Sequence, residues 1–406
     1  MKIAFIGLGK LGLPCAEVIA NKGHTVNGYD VCTITSDLIN IKPSIKDVVD
    51  QAEIVFVAVP TPHDPRYDGK QPTSNLEPKD FSYEIVQTVL TEANQYMTKD
   101  QLLVLISTVL PGTTRKNFVR LITNTQFIYN PYLIAMGSVG WDMVNPEMIM
   151  IGTEDGSETG DAKQLIDFYK TIMENDPRYV VGTWDECECI KVFYNTFISF
   201  KIGLVNMIQD VAVKQGNINV DVVTDALSKS TKRITSSQYM TAGMGDGGSC
   251  HPRDNIALRY LAKELDLGYD LFDSLIVARE IQAKNLAKEL VKYASQTGMK
   301  VFIHGKSYKP DVEFCDGSYS ILVGHYCKEM GFDPIYIDPL TNNNVTSAYG
   351  VIMLAHNRNV TYSYKGSMED QNLYCNIEKG SIIIDPWRKF PKTDDYTVIY
   401  YGNTRN

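Results

Sequence analysis

The sequence predicts an α/β protein in which two doubly wound, parallel-sheet domains are joined by a helical middle domain with a long central helix. Three observations predict it. Short apolar runs alternate with helical patterns up to about residue 182. From Asp185 to Gln215 apolar residues recur at helical spacing, with Gly203 as the one glycine and no proline. Apolar runs then return from Lys300 onward. Runs without polar alternation belong to strands buried on both faces, as in parallel sheets covered by helices.

Taken in order, residues 1–7 read as a buried strand, 11–21 as a helix and HTVNGYD (24–30) as a second strand. AEIVFVAVPTP (52–62) is an apolar run stopped by proline, and QLLVLIST (101–108), TQFIYNP (125–131) and EMIMIG (147–152) follow it. Residues 81–96 and 161–174 carry helical patterns between them, whereas 63–80 are polar and loop-like. These segments make a first domain over 1–182. The middle domain, 183–285, holds the long helix and helical patterns at 219–228, 255–266 and 271–296. The last domain, 286–406, carries strands at 300–305, 334–338, 351–355, 381–385 and 397–402.

Composition narrows the function. Hydrophobic residues are 44% and charged residues 21% of the chain, an ordinary balance for a soluble globular protein. A net charge of −9 argues against a nucleic-acid or anionic-membrane partner. The opening MKIAFIGLGKLGLP is not a signal peptide, and no uninterrupted run reaches the ~20 apolar residues of a membrane span. A cytoplasmic setting with reduced thiols is expected for the eight scattered cysteines. Cys187 and Cys189 form a C-x-C, but its ligand count and spacing do not suit zinc.

Gly7-Leu-Gly9-Lys-Leu-Gly12 follows a strand and opens a helix, and Asp30 ends the next strand 23 residues past Gly7. This is the arrangement of a dinucleotide fingerprint. Gly7 allows the tight turn, Gly9 lets backbone approach a pyrophosphate, and Gly12 permits close packing of helix on strand. The helix N-terminus favours an anion. A carboxylate at Asp30 accepts from a ribose 2′-OH and repels a 2′-phosphate, so NAD is expected over NADP.

GDGGSCHPRD (245–254) sets Cys250 among glycines, where few bulky neighbours can bury it. A thiolate can add to an aldehyde, and the adduct can lose hydride to become a thioester that water hydrolyses. A packed, inert cysteine in a glycine turn is an equally good reading of this stretch alone. His251 adjoins Cys250, but neighbouring side chains rarely face each other, and no catalytic role is assigned to it.

GDGGSCHPRD resembles the G-F-G-G-S-C-F-P-K-D signature of the UDP-glucose/GDP-mannose dehydrogenase family. The likeness runs through nearly the whole chain: FIGLGKLGLP, AEIVFVAVPTP, STVLPGTT (107–114), NPYLIAMGS (130–138), ECIKVFYNTFISFKIGLVN (188–206), KRI (232–234), GKSYKP (305–310) and YIDP (336–339) all fall in the family's order. It implies two Rossmann-like domains around the helical middle one. It also implies a homodimer and four-electron oxidation of a sugar C6 alcohol to a uronate with two NAD, most nearly as in UDP-glucose 6-dehydrogenases. Cys250 is then the nucleophile. Lys191 and Asn195, four apart and so on one helix face, hold the alcohol oxygen and the developing oxyanion. Asp254 assists an ordered water, and Thr108 lies beside that water and the nicotinamide. Thr61 joins Gly7, Gly9, Lys10, Leu11, Gly12 and Asp30 as cofactor contacts. Tyr132, Arg233, Gly247 and Lys309 join Lys191 and Asn195 as contacts to the nucleotide sugar. Asp254 can equally be read as the N-cap of a helix starting at Asn255.

The chain departs from the family at four places. The two glutamates of N-P-E-F-L-R-E-G align with Tyr132 and Met136, and the second is the family's acid–base group. The stretch from Asp30 to Ala52 is short. The family's T-D-D-x-R-E-S becomes DVEFCDGS, putting Asp316 where an arginine contacts the cofactor. The region from Pro339 to Tyr349 is compressed. Two further readings stay open: an oxidoreductase that stops at the aldehyde or thioester, and a binding protein that has lost catalysis.

Overall fold

The computed structural model describes residues 1–67, 70–248, 250–358 and 373–404. Residues 68–69 of the expected 63–80 loop and Ser249 of the cysteine signature lie outside them. The chain divides into two units, Met1–Lys201 and Ile202–Asn406.

The first unit is built on β1 (Lys2–Ile6), α1 (Gly12–Asn21), β2 (Thr25–Tyr29), β3 (Asn40–Ile41), α2 (Ile45–Val49) and β4 (Ile54–Val57). It continues through α3 (Glu84–Tyr96), β5 (Leu102–Leu105), β6 (Gln126–Tyr129), α4 (Val139–Val144), β7 (Met148–Thr153), α5 (Gly160–Lys170) and β8 (Arg178–Thr183). The order in the sheet is β3-β2-β1-β4-β5-β6-β7-β8. Every pair is parallel except β6 with β7, which meet antiparallel at Tyr129 and Gly152. Side chains alternate across the pleat. Ile3 and Phe5 pack with Cys15, Ile19, Met143 and Phe168 under α1, α4 and α5. Ala4 and Ile6 pack on the other face with Val48, Val86, Leu90 and Cys187. The chain leaves β1 toward β2 and β3 and returns to β4 on the other side, which makes the loop after β1 a topological switch point, the usual ligand position in such sheets.

The long helix α6 (Trp184–Gln215) runs unbroken through Gly203 and passes from the first unit into the second. The second unit then holds α7 (Val220–Ser228), α8 (Cys250–Glu264), α9 (Leu271–Thr297), β9 (Val301–His304), α10 (Tyr319–Glu329), β10 (Ile335–Ile337) and β11 (Ser347–Ala348). It ends with β12 (Val351–Leu354), β13 (Asn376–Ile377), β14 (Ile382–Asp385) and β15 (Thr397–Tyr400). Its main sheet is parallel, in the order β10-β9-β12-β14-β15, with β11 and β13 as a separate pair. This is the second doubly wound order, whose switch point lies between β9 and β12. The sheet buries Val301, Ile303, Val351 and Ile384 against Leu286, Leu290 and Val323.

Two sequence expectations change. Helix α8 begins at Cys250, not near Asn255. Pro252 sits in its first turn, where the missing N–H costs nothing, so Asp254 lies inside the helix and does not cap it. Among the described residues α6 is long and apolar enough, by length and composition, to cross a membrane. Polar residues, Lys191, Asn195-Thr196, Lys201 and Gln209-Asp210 among them, break its apolar pattern, which is why no uninterrupted run marks it in the sequence.

Candidate active site

The fingerprint in the first unit forms a tight cradle. Gly7 has φ +94°, and a Cβ on it would lie 2.6 Å from the Ala58 carbonyl oxygen. A Cβ on Gly12 would lie 1.9 Å from the Gly7 oxygen, so α1 can approach β1 only without a side chain there. A Cβ on Gly9 would meet nothing within 4 Å: the space above it is open. No side chain caps α1 and no acid occupies its first turn, which leaves that turn suited to an anion. Asp30 accepts from the Leu8 N–H at 2.7 Å and the Cys32 N–H at 2.8 Å. Its carboxylate keeps further lone pairs for a ribose hydroxyl. Lys10 is exposed and Leu11 half-buried at the mouth of the turn. The residues present fit a dinucleotide.

Two more expected cofactor contacts meet at the carboxyl ends of adjacent strands. Thr61, after β4, donates its hydroxyl to the Thr108 carbonyl, after β5, at 2.8 Å. The loop beyond Thr108 is held by a residue given no role in the sequence reading. Glu188 of α6 is fully buried and accepts from the Gly112 N–H at 2.6 Å and the Thr114 N–H at 2.7 Å. Burial raises its pKa above the usual carboxylate range despite those donors. Its sequence signal is a carboxylate one turn before Lys191, after the first-turn acids Asp185 and Glu186.

This gives a pH-dependent prediction. A carboxyl with a raised folded pKa binds more protons folded than unfolded, so stability falls as pH rises from the ordinary value of about 4.3 through the raised one. Glu188→Gln removes that titration and turns an NH2 toward one of the two N–H donors. We expect a loss of ~1–3 kcal/mol. The wild-type advantage should grow as pH is lowered through that window, as read by denaturant melts in steps from pH 7 to pH 4. A difference that stays unchanged over the whole range would remove Glu188 as the titrating group.

Lys191 is half-buried and donates to the Tyr132 carbonyl at 2.6 Å. Burial lowers its pKa. Two ammonium protons remain for another acceptor. Asn195, one turn on, is exposed. The Tyr132 hydroxyl pairs with that of Tyr169 at 2.9 Å, and Tyr169 in turn donates to Asn130. Burial, then the neighbouring Tyr169, raises the Tyr132 pKa well above its ordinary value, so this phenol keeps its proton. Met136 is 66% exposed and carries no group that moves a proton.

In the second unit Cys250 is exposed as the first residue of α8. Arg253 lies beside its sulfur and bonds Asp254 at 2.9 and 3.0 Å. Cys250 and Asp254 thus share the start of one helix with a guanidinium between them. The glycines before Cys250 serve packing. A Cβ on Gly243 would come within 2.3 Å of the Trp387 ring, on Gly245 within 2.2 Å of the Tyr319 ring, and on Gly247 within 3.1 Å of Tyr308. Gly248 has φ +83°, and a Cβ on Gly317 would lie 2.2 Å from its carbonyl oxygen. Room beside the sulfur was the sequence-level reason for these glycines; close approach to the turns around Tyr308 and Gly317 is the observed one. Lys309 is exposed over the Tyr308 ring at 5.3 Å. Arg233 is exposed in the turn after α7. The expected catalytic residues are therefore shared out, with Lys191, Asn195 and Thr108 in the first unit and Cys250 and Asp254 in the second.

Comparison with known proteins places the chain in one family. Residues 33–173 match the NAD binding domain of the UDP-glucose/GDP-mannose dehydrogenase family, and residues 185–280 match that family's central domain. The chain is 26% identical over 372 residues to a UDP-glucose 6-dehydrogenase of Rhizobium meliloti, covering 84% of this chain and 82% of that protein. It is 27% identical over 346 residues to a GDP-mannose 6-dehydrogenase of Pseudomonas putida, covering 76% and 74%. The fold superposes on a ternary complex of GDP-mannose dehydrogenase from Pseudomonas aeruginosa with a TM-score of 0.80 at 20% identity, covering 98% of this chain and 99% of that one.

Proposed function

The chain belongs to the UDP-glucose/GDP-mannose dehydrogenase family, and on that premise we propose that it oxidises the C6 alcohol of a nucleotide sugar, UDP-glucose first among them, to the uronate. It is an NAD-dependent nucleotide-sugar dehydrogenase. The observation that carries the full reaction is Cys250, an exposed thiol at the first position of α8 with Arg253 and Asp254 beside it.

NAD, when bound, accepts a hydride at each of two oxidation steps. Lys191 and Asn195 are assigned to the sugar oxygen. A fixed ammonium and amide aimed at growing negative charge lower a barrier by ~3 kcal/mol per donor. At the aldehyde stage the Cys250 sulfur forms a bond to carbon and the carbonyl electron pair moves onto oxygen, which the same groups hold. Loss of hydride from that carbon leaves a thioester. Water then adds to it, oriented by Asp254, and the carbon–sulfur bond breaks to return the thiol and release the acid. Tyr132, Arg233, Gly247 and Lys309 are assigned to the nucleotide sugar, and Thr61 and Thr108 to the cofactor.

A second reading has its own support. Met136 stands where the family carries its acid–base glutamate, and the Tyr132 hydroxyl is engaged by Tyr169. A chain without that proton carrier would stop at the aldehyde or hold the thioester.

The exposed Phe193, Phe197, Phe200, Ile202 and Leu204 of α6 support a homodimer built on this helix. A membrane-spanning α6 would put the dinucleotide fingerprint and the cysteine signature on opposite sides of a bilayer, and the proposed chemistry needs both on one side. One experiment tests these points together: NADH yield and product from a panel of nucleotide sugars, with the solution mass of the active species. Two NADH and a uronate are expected from a species of twice the chain mass. One NADH and an aldehyde would favour the second reading. In that case Met136→Glu should raise the second step by ~10²-fold or more. No NADH from any sugar would sink both readings.

A further inference from the structure

The loop that delivers Cys250 is rich in glycine, and glycine loses more conformational freedom on ordering than any other residue. Something must hold it. Arg279 on α9 donates from Nε to the Asp246 carboxylate at 2.6 Å, and from Nη2 to the Asp246 carbonyl at 3.2 Å and the Gly317 carbonyl at 3.0 Å. Its guanidinium carbon lies 5.4 Å from the centre of the Tyr319 ring, the same ring that Gly245 approaches. The side chains of Arg279 and Asp246 are 16% and 35% exposed. The pair is therefore partly shielded from water and its charge-assisted bonds are stronger than those of a surface pair.

We propose that Arg279 is a positioning residue for the thiol: it ties the 245–248 loop to the Gly317 turn and so fixes where Cys250 enters α8. The proposal rests on the reading of Cys250 as nucleophile. It concerns a device of this chain. The family signature carries phenylalanine where Asp246 stands, and phenylalanine cannot accept from a guanidinium. The tie also falls where DVEFCDGS departs from the family pattern, so an altered loop and an altered signature are held by one side chain. Three bonds from one planar fork fix direction as well as distance, which a lysine ammonium on a flexible stem does not reproduce.

The test compares wild type with Arg279→Met, Arg279→Lys and Asp246→Asn in the full chain. Each is read by steady-state kinetics, by hydrogen exchange at the amides of Gly247 and Gly248, and by the iodoacetamide labelling rate of the Cys250 peptide. Arg279→Met should lower kcat ~10- to 100-fold, because a displacement of about 1 Å at a reacting group costs about that much, while KM for the sugar moves less than about three-fold. Loop exchange should quicken and Cys250 labelling should change. Arg279→Lys and Asp246→Asn should fall between Arg279→Met and wild type. A kcat for Arg279→Met within about two-fold of wild type would overturn the proposal. So would a fall in kcat that tracks lost thermal stability with loop exchange unchanged. If the wild type oxidises no nucleotide sugar, the functional reading fails by itself. Exchange and labelling still decide this one, and an unaltered loop in Arg279→Met refutes it.

Discussion

Replacing Cys250 with alanine is expected to end uronate formation while leaving the fold intact. The sulfur is exposed at the start of α8, so its loss removes no packing. Loss of an exposed side chain at a helix start costs about 1 kcal/mol or less. The chemical effect is of another order. Removing a covalent nucleophile costs ~10⁶-fold in a well-studied protease case, and in the proposed reaction only the second oxidation uses it. Oxidation of alcohol to aldehyde requires no carbon–sulfur bond. NADH per sugar should therefore fall to one at most, with melting little changed. If the alanine variant still yields uronate, the sulfur is a bystander.

The second large effect lies in the dinucleotide cradle, where two glycines should separate folding from binding. A Cβ on Gly12 would sit 1.9 Å from a backbone oxygen that cannot swing aside. Gly12→Ala must push α1 off β1, at a cost of ~1–3 kcal/mol for overpacking, and it should weaken NAD by ~100-fold or more as the helix N-terminus leaves its place. Gly9 has open space instead. Gly9→Ala should melt like wild type and still lose NAD affinity by ~10-fold or more, because the added methyl fills the position of close pyrophosphate approach. Titration of NAD by fluorescence, beside thermal melts, reads both. Unchanged affinity in Gly9→Ala would place the cofactor elsewhere.

The parts of this molecule with a strong period or an obligatory residue type were legible in the sequence. The buried strands β1, β4, β5, β9 and β12 show as apolar runs, and α6 shows as helical spacing from Asp185 to Gln215, one residue short of the observed start. The cradle was legible because its glycines stand at a fixed spacing between a strand and a helix, where Gly7 and Gly12 answer a steric demand. Short elements were not. β3 has two residues and α2 has five, too few to show a period, and their places are fixed by sheet pairing and by Val48 and Val49 in the core. The start of α8 is hidden by the glycines at 243–248, which read as loop, although Pro252 signals a first helical turn. Glu188 and Arg279 were missed for a common reason. Each acts on backbone groups distant in sequence, and no spacing rule connects Glu188 with Gly112 or Arg279 with Gly317.

The carboxylate of Asp30 has a counterpart in Asp338, which accepts from the N–H groups of Lys306 and Ser307 at 2.9 Å each in the loop after β9. Both acids end the second strand of a doubly wound sheet and pin the turn that follows its first. On the proposed assignment of Asp30 to the coenzyme ribose, an engineer wishing to convert this enzyme to the phosphorylated coenzyme would begin by neutralising Asp30. That exchange would also release the anchor of the glycine turn, so coenzyme selectivity here cannot be retuned at that side chain without a new partner for the Leu8 amide.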